Sequence, residues 1–341
     1  MQYRKLGKTG LMISEVGFGC IPIIRLSSEE AVHVLKYAFD KGINFFDTAN
    51  AYRDSEQKIG MALHACRDKI VLATKTGRRD AAGATEHIEN SLRMLRTDYI
   101  DLFQFHQVSK EEDWKAITAP GGAMEAVLKA KEQGKIRHIG ITSHSYEMAL
   151  KLIKTELFAT IMFPFSFIED SALGEMLNLT KELDMGFFAM KPFGGGVIDN
   201  AALAFKYLRQ YPETIPIPGF DSTVYIDEVL SFYEQANNVT QQDLDLMKKY
   251  RDDLGSQFCR RCEYCQPCPN GVMITPAMGY PIVAKRMSPS VSVEFSQKPM
   301  DSVENCINCG ECIERCPYEL PIPDVLQRNY ELYTKHKAMS K

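Results

Sequence analysis

The sequence predicts an α/β protein, built from a (β/α)8 barrel over residues 1–255 and a small cysteine-rich domain over residues 256–341. Two observations predict this division. Short apolar runs alternate with amphipathic stretches through the first part of the chain, and eight of the ten cysteines lie in the last quarter. A chain of 341 residues can hold one large hydrophobic core and a second, smaller one.

Eight apolar runs in the first part of the chain have the length and composition of buried strands. They begin at Val16, Ile43, Ile70, Ile100, Arg137, Ala159, Gly186 and Thr214. Alternation of eight strands with helices over about 240 residues favours a closed barrel. A doubly wound sheet stays open as an alternative, because alternation alone does not show closure.

The segments between these runs have the periodicity of amphipathic helices. In SSEEAVHVLKYAFDKG, which begins at Ser27, four apolar residues are expected on one helical face: Ala31, Val32, Leu35 and Phe39. Serine and glutamate residues precede this face, as at a capped helix N-terminus. The Ser- and Pro-containing segment PSVSVEFSQKPMDSVE, between the two cysteine runs, is expected to be a solvent-exposed loop.

Composition and charge argue against several classes of partner. The formal net charge of −4 gives no electrostatic reason to expect nucleic acid. No stretch approaches the roughly 18 apolar residues of a membrane-spanning helix, and the N-terminus lacks the apolar run of a secretory signal. We therefore expect a cytoplasmic protein with no membrane partner.

In a reducing cytosol clustered cysteines bind metal more often than they form disulfides. The isolated Cys20 and Cys66 are expected to be ordinary buried thiols.

Two cysteine runs in the last quarter have the spacing of iron–sulfur ligands. The second run is followed by a proline and matches the C-x2-C-x2-C-x3-C-P pattern of 4Fe-4S ligation. Its members are Cys306, Cys309, Cys312 and Cys316. The first run departs from this pattern, because two residues and not three precede its last cysteine. Its members are Cys259, Cys262, Cys265 and Cys268. We expect two 4Fe-4S clusters, with structural zinc as the alternative, since paired C-x2-C units also make tetrahedral zinc sites.

Polar side chains that can transfer protons follow three consecutive strands of the predicted barrel. Because the chemistry of a barrel lies at the carboxyl ends of its strands, these side chains are candidates for catalysis. They are Asp47 and Tyr52 after the second strand, Lys75 after the third and His106 after the fourth. Each alone also has a structural interpretation, as a helix cap, a packed ring, a rim charge or a structural histidine.

These residues lie in motifs that resemble the aldo-keto reductases: GINFFDTANAYRDSEQKIG, LATKTGRRD, RTDYIDLFQFH and IGITSH. With its cysteine-rich end the chain resembles the branch of that family fused to a C-terminal α+β ferredoxin-like domain with two 4Fe-4S clusters. The resemblance implies reduction of a small carbonyl, or oxidation of the alcohol, by hydride transfer with a nicotinamide. It implies that Tyr52 is the general acid, that Lys75, held by Asp47, lowers the pKa of the Tyr52 phenol, and that His106 orients the carbonyl.

The resemblance to dicluster ferredoxins also implies which cysteines share a cluster. Cys316 would complete the cluster of Cys259, Cys262 and Cys265. Cys268 would complete the cluster of Cys306, Cys309 and Cys312. The electron partner implied is a ferredoxin or another redox protein.

The resemblance carries over to the nicotinamide cofactor only in part. Ser143 matches the family's carboxamide contact, whereas His144 stands where the family usually has asparagine. A glycine-rich segment after the seventh strand would approach the pyrophosphate through Lys191, Gly194 and Gly195. The segment after the eighth strand would bind adenosine through Gly219, Asp221 and Ser222.

The adenosine segment departs from many relatives in its charge. Asp221 and Asp227 stand where those relatives place arginines that bind the 2′-phosphate of NADPH. This difference favours NAD(H) over NADP(H), because a carboxylate repels the phosphate and accepts hydrogen bonds from ribose hydroxyls. No flavin site is identified, and a flavin stays open as a mediator between two-electron hydride chemistry and one-electron clusters.

Three functions remain compatible with the sequence. The first is a reductase whose clusters relay electrons. The second is a ferredoxin-type electron carrier that uses the barrel as a binding platform. The third is a reductase whose clusters are only structural.

Overall fold

The computed structural model describes residues 1–254, 259, 265–316 and 320–340. The contacts within the chain divide it into two compact units. One unit comprises Met1–Gly194 and Ile198–Leu244, and the other comprises Gly195–Val197 and Asp245–Lys341. The boundary predicted between the barrel domain and the cysteine-rich domain, after residue 255, stays a prediction.

All eight predicted strands are present and form one parallel sheet in chain order. A short antiparallel pair, β1 (Tyr3–Lys5) and β2 (Met12–Ser14), precedes them. The strands of the sheet are β3 (Phe18–Gly19), β4 (Phe45–Asp47), β5 (Val71–Thr76), β6 (Ile100–Phe105), β7 (Ile136–Thr142), β8 (Thr160–Pro164), β9 (Gly186–Met190) and β10 (Thr214–Ile217).

Backbone hydrogen bonds between the first and last strands close the sheet into a barrel. The N–H of Gly17 donates to the carbonyl of Pro216 over 2.9 Å, and the N–H of Gly19 donates to that of Pro218 over 2.8 Å. A Cβ atom at Gly17 would lie 2.6 Å from Cδ1 of Ile217, so glycine permits this close approach. The predicted barrel is confirmed, and the doubly wound alternative is wrong.

Helices follow the strands as predicted. Their bounds in the barrel are α1 (Ser28–Asp40), α2 (Ser55–Leu63), α3 (Ala81–Leu95), α4 (Glu111–Thr118), α5 (Ala123–Glu132), α6 (Tyr146–Lys154), α7 (Glu175–Glu182), α8 (Ala201–Leu208) and α9 (Thr223–Tyr233). A capping box between Ser27 and Glu30 starts α1, as its sequence predicts. The fully buried face of α1 is rotated slightly from the predicted one and consists of Ala31, Val34, Leu35 and Ala38.

The interior of the barrel is packed with apolar side chains, so it is a core and not a pore. The rings of Phe45 and Phe188 stack with centroids 4.6 Å apart. Leu6 and Ile13, which flank the turn between β1 and β2, pack into the same cluster. Leu6 lies against Gly186, the first residue of β9. The amino ends of the strands are therefore covered, and the carboxyl ends are left for chemistry.

Regular structure in the described part of the second unit is helical. After α10 (Gln241–Leu254), which spans the division between the units, come α11 (Ile274–Met278), α12 (Tyr280–Arg286), α13 (Pro289–Asp301), α14 (Glu311–Glu314) and α15 (Ile322–Met339). The core of this unit includes the fully buried Tyr280 and Tyr333, with ring centroids 5.5 Å apart. In the part of the chain that the structure describes, no helix has the length and apolar character needed to cross a membrane.

The expectation of an exposed loop between the cysteine runs was wrong, because most of that segment is α13. Pro289 occupies the first turn, where a missing N–H costs no hydrogen bond. Ser292, Ser296 and Met300 recur every fourth residue and are buried. Buried serines at helical spacing were the missed signal.

Candidate active site

A buried ion pair lies at the carboxyl ends of β4 and β5. The Lys75 ammonium donates to Oδ2 of Asp47 over 2.6 Å and to the carbonyl of Thr48 over 2.6 Å. Gln104 on β6 donates its amide to the other carboxylate oxygen of Asp47 over 3.1 Å. Burial is the largest single effect and lowers the pKa of Lys75, but the charge of Asp47, its hydrogen bond and the nearby Tyr52 and Cys20 together raise the net pKa. Lys75 is therefore a fixed positive charge in a dry site.

Tyr52 and His106 adjoin this pair. The Lys75 ammonium lies 5.2 Å from the centroid of the Tyr52 ring. The Tyr52 and His106 rings meet edge to face, with centroids 5.8 Å apart. The structure thus brings together four side chains that are separated in the sequence, while their catalytic roles stay a prediction.

The electrostatics of Tyr52 differ from the expectation in one respect. Burial raises the pKa of the phenol, whereas Lys75 lowers it, and the net shift is upward. Lys75 acts in the expected direction but burial is the larger effect. The phenol therefore remains protonated near neutral pH and can serve as a proton donor.

His106 follows β6 and is held as a neutral imidazole. Its backbone N–H donates to the carbonyl of Thr76 over 2.9 Å. Burial, followed by the positive charges of Lys75 and Arg79, lowers the pKa of His106 to about 3. A neutral imidazole can donate one hydrogen bond to a carbonyl oxygen without adding a charge to the site.

The buried imidazole predicts that the barrel loses stability in acid. The pKa of His106 is about 3 in the folded state and about 6.5 in an unfolded chain, so the unfolded state binds more protons between these values. The free energy of unfolding should fall as the pH drops below about 6.5, by at most about 1.4 kcal/mol per pH unit. His106→Gln should flatten this dependence.

Urea unfolding at several pH values checks this prediction. The fluorescence of Trp114, the single tryptophan, reports on the barrel because its ring packs against Phe158 in that unit. His33→Gln on the exposed face of α1 is the control. If the free energy of unfolding changes with pH equally in the unsubstituted protein and in His106→Gln, His106 is not the source of the acid sensitivity.

The residues predicted to contact a carboxamide follow β7. The hydroxyl of Ser143 is buried and already exchanges 3.2 Å hydrogen bonds with the backbone of Ser145. Ser109, which the sequence analysis missed, accepts the backbone N–H of His144 over 2.9 Å. The sequence analysis also missed Ser166 after β8, whose hydroxyl is buried with no hydrogen-bond partner among the described residues. This unsatisfied hydroxyl fits a polar ligand such as an amide.

The glycine-rich segment makes a tight turn at the end of β9. Lys191, Gly194 and Gly195 all have positive φ angles, of 56°, 55° and 71°. The N–H of Gly194 donates to the carbonyl of Lys191 over 2.8 Å. Left-handed turns of this kind can present several backbone N–H groups to an anion, which fits the predicted contact with a pyrophosphate.

The predicted adenosine segment connects β10 to α9. Gly219 forms a bridge with Gly19, and a Cβ atom there would lie 2.6 Å from Cγ of Pro22. The hydroxyl of Ser222 accepts the N–H of Val224 over 3.2 Å and caps α9. The N-terminus of α9 therefore lies at the end of this segment, where backbone N–H groups are available to a ligand.

The two aspartates of this segment are engaged by side chains of other elements. The Asp221 carboxylate lies 3.5 Å from the guanidinium of Arg25. Asp227 accepts the phenol of Tyr37 over 2.6 Å and pairs with Lys41 at 3.0 Å. Asp227 is thus engaged by Tyr37 of α1 and by Lys41 after it, whereas Asp221 has one longer contact and is the stronger candidate for contact with a ribose.

Five of the predicted iron–sulfur ligands line one cavity of the second unit. They are Cys265, Cys268, Cys306, Cys309 and Cys312. Burial raises the pKa of the Cys312 thiol, and the charges of Cys306, Cys309 and Cys268 raise it further. The donor set fits a 4Fe-4S cluster, because each thiolate of a cubane binds a different iron and the four need not converge on one point. No three of the described His, Cys, Asp or Glu side chains are gathered to hold a single metal ion.

The second predicted ligand set is described in part. Cys265 and Cys316 are buried in one apolar core, and Cys259 packs against it. Cys262 lies outside the described residues. The isolated Cys20 is fully buried and Cys66 is half-buried.

Comparison with protein families agrees with both parts of the chain. A profile of the Aldo/keto reductase family matches residues 15–202, and a profile of 4Fe-4S dicluster domains matches residues 258–320. The uncharacterized oxidoreductase YqkF of Bacillus subtilis is 32% identical, over 73% of this chain and 81% of the relative. L-galactose dehydrogenase of Arabidopsis thaliana is 30% identical, over 58% of this chain and 67% of the relative.

Solved structures share the barrel. The holo form of an aldo-keto reductase from Bacillus halodurans has a TM-score of 0.62 at 25% identity, covering 73% of this chain and 96% of that chain. A Klebsiella pneumoniae aldo-keto reductase in complex with NADPH has a TM-score of 0.61 at 20% identity, covering 73% and 94%. The second likeness concerns the fold alone.

Proposed function

Because the chain belongs to the aldo/keto reductase family and carries a C-terminal 4Fe-4S domain, we propose that it reduces a small carbonyl compound, or oxidises the corresponding alcohol. The site proposed is the one around Tyr52 and His106. The observation that carries the proposal is the buried Lys75–Asp47 pair beside the Tyr52 phenol. A buried charged pair beside a phenol and an imidazole, at the carboxyl ends of the strands, is an arrangement that catalytic sites of barrels use.

The four side chains would have different roles in carbonyl reduction. The neutral imidazole of His106 would donate a hydrogen bond to the carbonyl oxygen and orient it. Tyr52 would then donate its phenolic proton to that oxygen as negative charge develops there. Lys75, held by Asp47, would stabilise the phenolate left behind, which offsets the opposing effect of burial on the phenol.

A bound nicotinamide would supply the hydride. We propose that it lies along the carboxyl ends of β7 to β10, with Ser143, His144 and the unsatisfied Ser166 near its carboxamide. The left-handed turn at Lys191 and Gly194 would approach the pyrophosphate. Gly219, Asp221 and Ser222 would lie near the adenosine.

We propose NAD(H) in preference to NADP(H) because of Asp221. Its carboxylate would accept hydrogen bonds from ribose hydroxyls and repel a 2′-phosphate, although Arg25 at 3.5 Å offsets part of that repulsion. Asp221→Arg is expected to tighten NADPH binding by at least about tenfold and to weaken NADH binding. Titrations of both nucleotides by calorimetry measure this change.

Asp227→Asn is the matched control, since Tyr37 and Lys41 already occupy that carboxylate. It should leave the ratio of the two dissociation constants unchanged. An NADPH affinity that is the same with aspartate or arginine at residue 221 would remove the basis for the NAD preference.

We propose that the clusters relay electrons between the barrel chemistry and a redox protein such as a ferredoxin, through a mediator such as a flavin, because a hydride carries two electrons and each cluster exchanges one. Cys309 is exposed and the neighbouring Ile307 is 69% exposed, so a cluster held there would be accessible to a partner. The sequence from residue 301 to 324 contains one basic residue, Arg315, and an excess of carboxylates. The carboxylates are Asp301, Glu304, Glu311, Glu314, Glu319 and Asp324. This charge favours a partner with a basic contact surface.

Turnover on anaerobically purified protein separates the candidate functions. Carbonyl reduction that changes rate when the clusters are oxidised or reduced supports the relay. Equal rates in both states favour clusters that are only structural. Clusters that exchange electrons with a redox protein while no carbonyl is reduced favour the electron-carrier alternative. Thiolate-bound clusters also lead us to propose a reducing compartment such as the cytoplasm.

A further inference from the structure

Arg79 connects the loop after β5 to the backbone that carries His106. Its Nη2 donates to the carbonyl of His106 over 2.9 Å and to that of Gln107 over 3.4 Å. Its Nε donates to the carboxylate of Asp113 on α4 over 3.0 Å. The carbonyl of Arg79 itself accepts the N–H of Ala123 at the start of α5 over 2.8 Å. One guanidinium thus joins two of the loops at the carboxyl end of the barrel.

The backbone at His106 and Gln107, to which Arg79 donates its hydrogen bonds, is in an unfavourable conformation. Gln107 has a φ of 55°, a left-handed conformation that is uncommon for a residue with a side chain. Its N–H donates to the hydroxyl of Thr142 over 2.8 Å, and the N–H of Val108 donates to the carbonyl of Thr142 over 2.8 Å. Thr142 therefore holds the N–H groups of this turn, and Arg79 holds its carbonyls. Such a conformation persists only when the surroundings determine it.

The charge of Arg79 is also confined near His106. Its side chain is 22% exposed, and Nη1 is buried without a hydrogen-bond partner among the described residues. An unpartnered buried N–H is unfavourable, so the other hydrogen bonds of Arg79 hold the guanidinium in this position. The charged or titratable groups that act on the imidazole are Lys75 of β5, Arg79 of the following loop and Tyr52 after β4. Two of the three are cations.

We propose that Arg79 is a positioning residue for His106: its guanidinium fixes the turn from which the imidazole projects and holds a permanent positive charge against the backbone carbonyl of His106. This inference rests on the proposed role of His106 in orienting the carbonyl. Substitutions separate the hydrogen bonds of Arg79 from its charge. Arg79→Lys keeps the positive charge but cannot bridge the same acceptors, and Arg79→Met removes both the charge and the hydrogen bonds.

The test is a histidine NMR titration of the intact protein, with His106→Gln used to assign the resonance. In Arg79→Met the pKa of His106 is expected to rise but to stay below its ordinary value, because burial and Lys75, the two larger causes, remain; in Arg79→Lys it should stay at its original value. In both variants the rate constant for carbonyl reduction should fall by about 10- to 100-fold, because a displacement of the order of 1 Å has that effect. Arg78→Met, which removes the neighbouring exposed charge, should change neither quantity.

The titration is independent of turnover, so the inference and the proposed function can fail separately. If no carbonyl is reduced at all but Arg79→Met raises the pKa of His106 and Arg79→Lys does not, the electrostatic half of the inference stands. An unchanged pKa of His106 in folded Arg79→Met overturns that half. Should Arg79→Met not fold, a folded Arg79→Lys with an unchanged rate constant overturns the positioning half.

Discussion

Tyr52→Phe is expected to lower the rate of carbonyl reduction by about 100- to 10,000-fold, the contribution typical of a positioned general acid. The substitution removes the proton that the developing alkoxide needs and leaves the ring in place. The edge-to-face contact with His106 and the proximity of the Lys75 ammonium to the ring should persist. Nucleotide affinity and iron content should therefore stay at their original values.

The matched control is Tyr99→Phe. This tyrosine precedes β6, at the covered end of the barrel, where its ring lies between the guanidinium groups of Arg67 and Arg137 at 3.9 Å and 3.8 Å. Phenylalanine retains a ring for both cations, so neither rate nor stability should change much. Steady-state kinetics on both variants measure the difference. Full activity in Tyr52→Phe would exclude the proposed proton donor.

Cys268→Ala is expected to remove one whole cluster, lowering the iron content from about eight to about four atoms per chain. Cys268 belongs to the first cysteine run in the sequence but lines one cavity with Cys306, Cys309 and Cys312, and Cys265 lines this cavity as well. Loss of one thiolate leaves an iron without its protein ligand, and such a cluster is lost readily. Iron and acid-labile sulfide analysis after anaerobic purification measures the effect.

Double variants test which cysteines share a cluster. Cys268→Ala with Cys309→Ala should lose no more iron than either single variant, because both would act on the same cluster. Cys316→Ala with Cys309→Ala should lose nearly all iron, since these would act on different clusters. Cys66→Ala, a half-buried thiol in the barrel unit, is the control and should retain all iron. Additive iron loss in the first pair would contradict the pairing.

The strands were predictable because most are short apolar runs that are buried along their length, and burial on both faces is what a parallel barrel imposes. The runs beginning at Ile70 and Ile100, for example, contain β5 and β6, each buried throughout. The approach of Asp47, Lys75 and His106 was predictable from topology alone, because the carboxyl ends of neighbouring parallel strands meet at one end of the barrel.

The contacts around the site were not predictable, since they depend on distances between side chains that the sequence does not give. In the sequence nothing distinguishes Arg79 from an exposed charge at the rim of the barrel. Its hydrogen bonds to the carbonyls of His106 and Gln107 depend on the folded structure. The sequence suggests that Asp227 contacts a ribose, yet in the structure its carboxylate binds Tyr37 of α1 and Lys41 after it. Ser166 had no signal at all, because an unsatisfied hydroxyl is a property of the packed structure.

The most direct test of the proposed chemistry is transfer of deuterium from NADH labelled at the hydride position to a panel of small aldehydes and ketones, under anaerobic conditions. The Asp47–Lys75–Tyr52–His106 arrangement predicts an alcohol with deuterium on the former carbonyl carbon, formed by the unsubstituted protein and not by Tyr52→Phe. An absence of labelled alcohol across the panel, with labelled NADPH as well as NADH, would contradict a carbonyl-reducing site in this barrel.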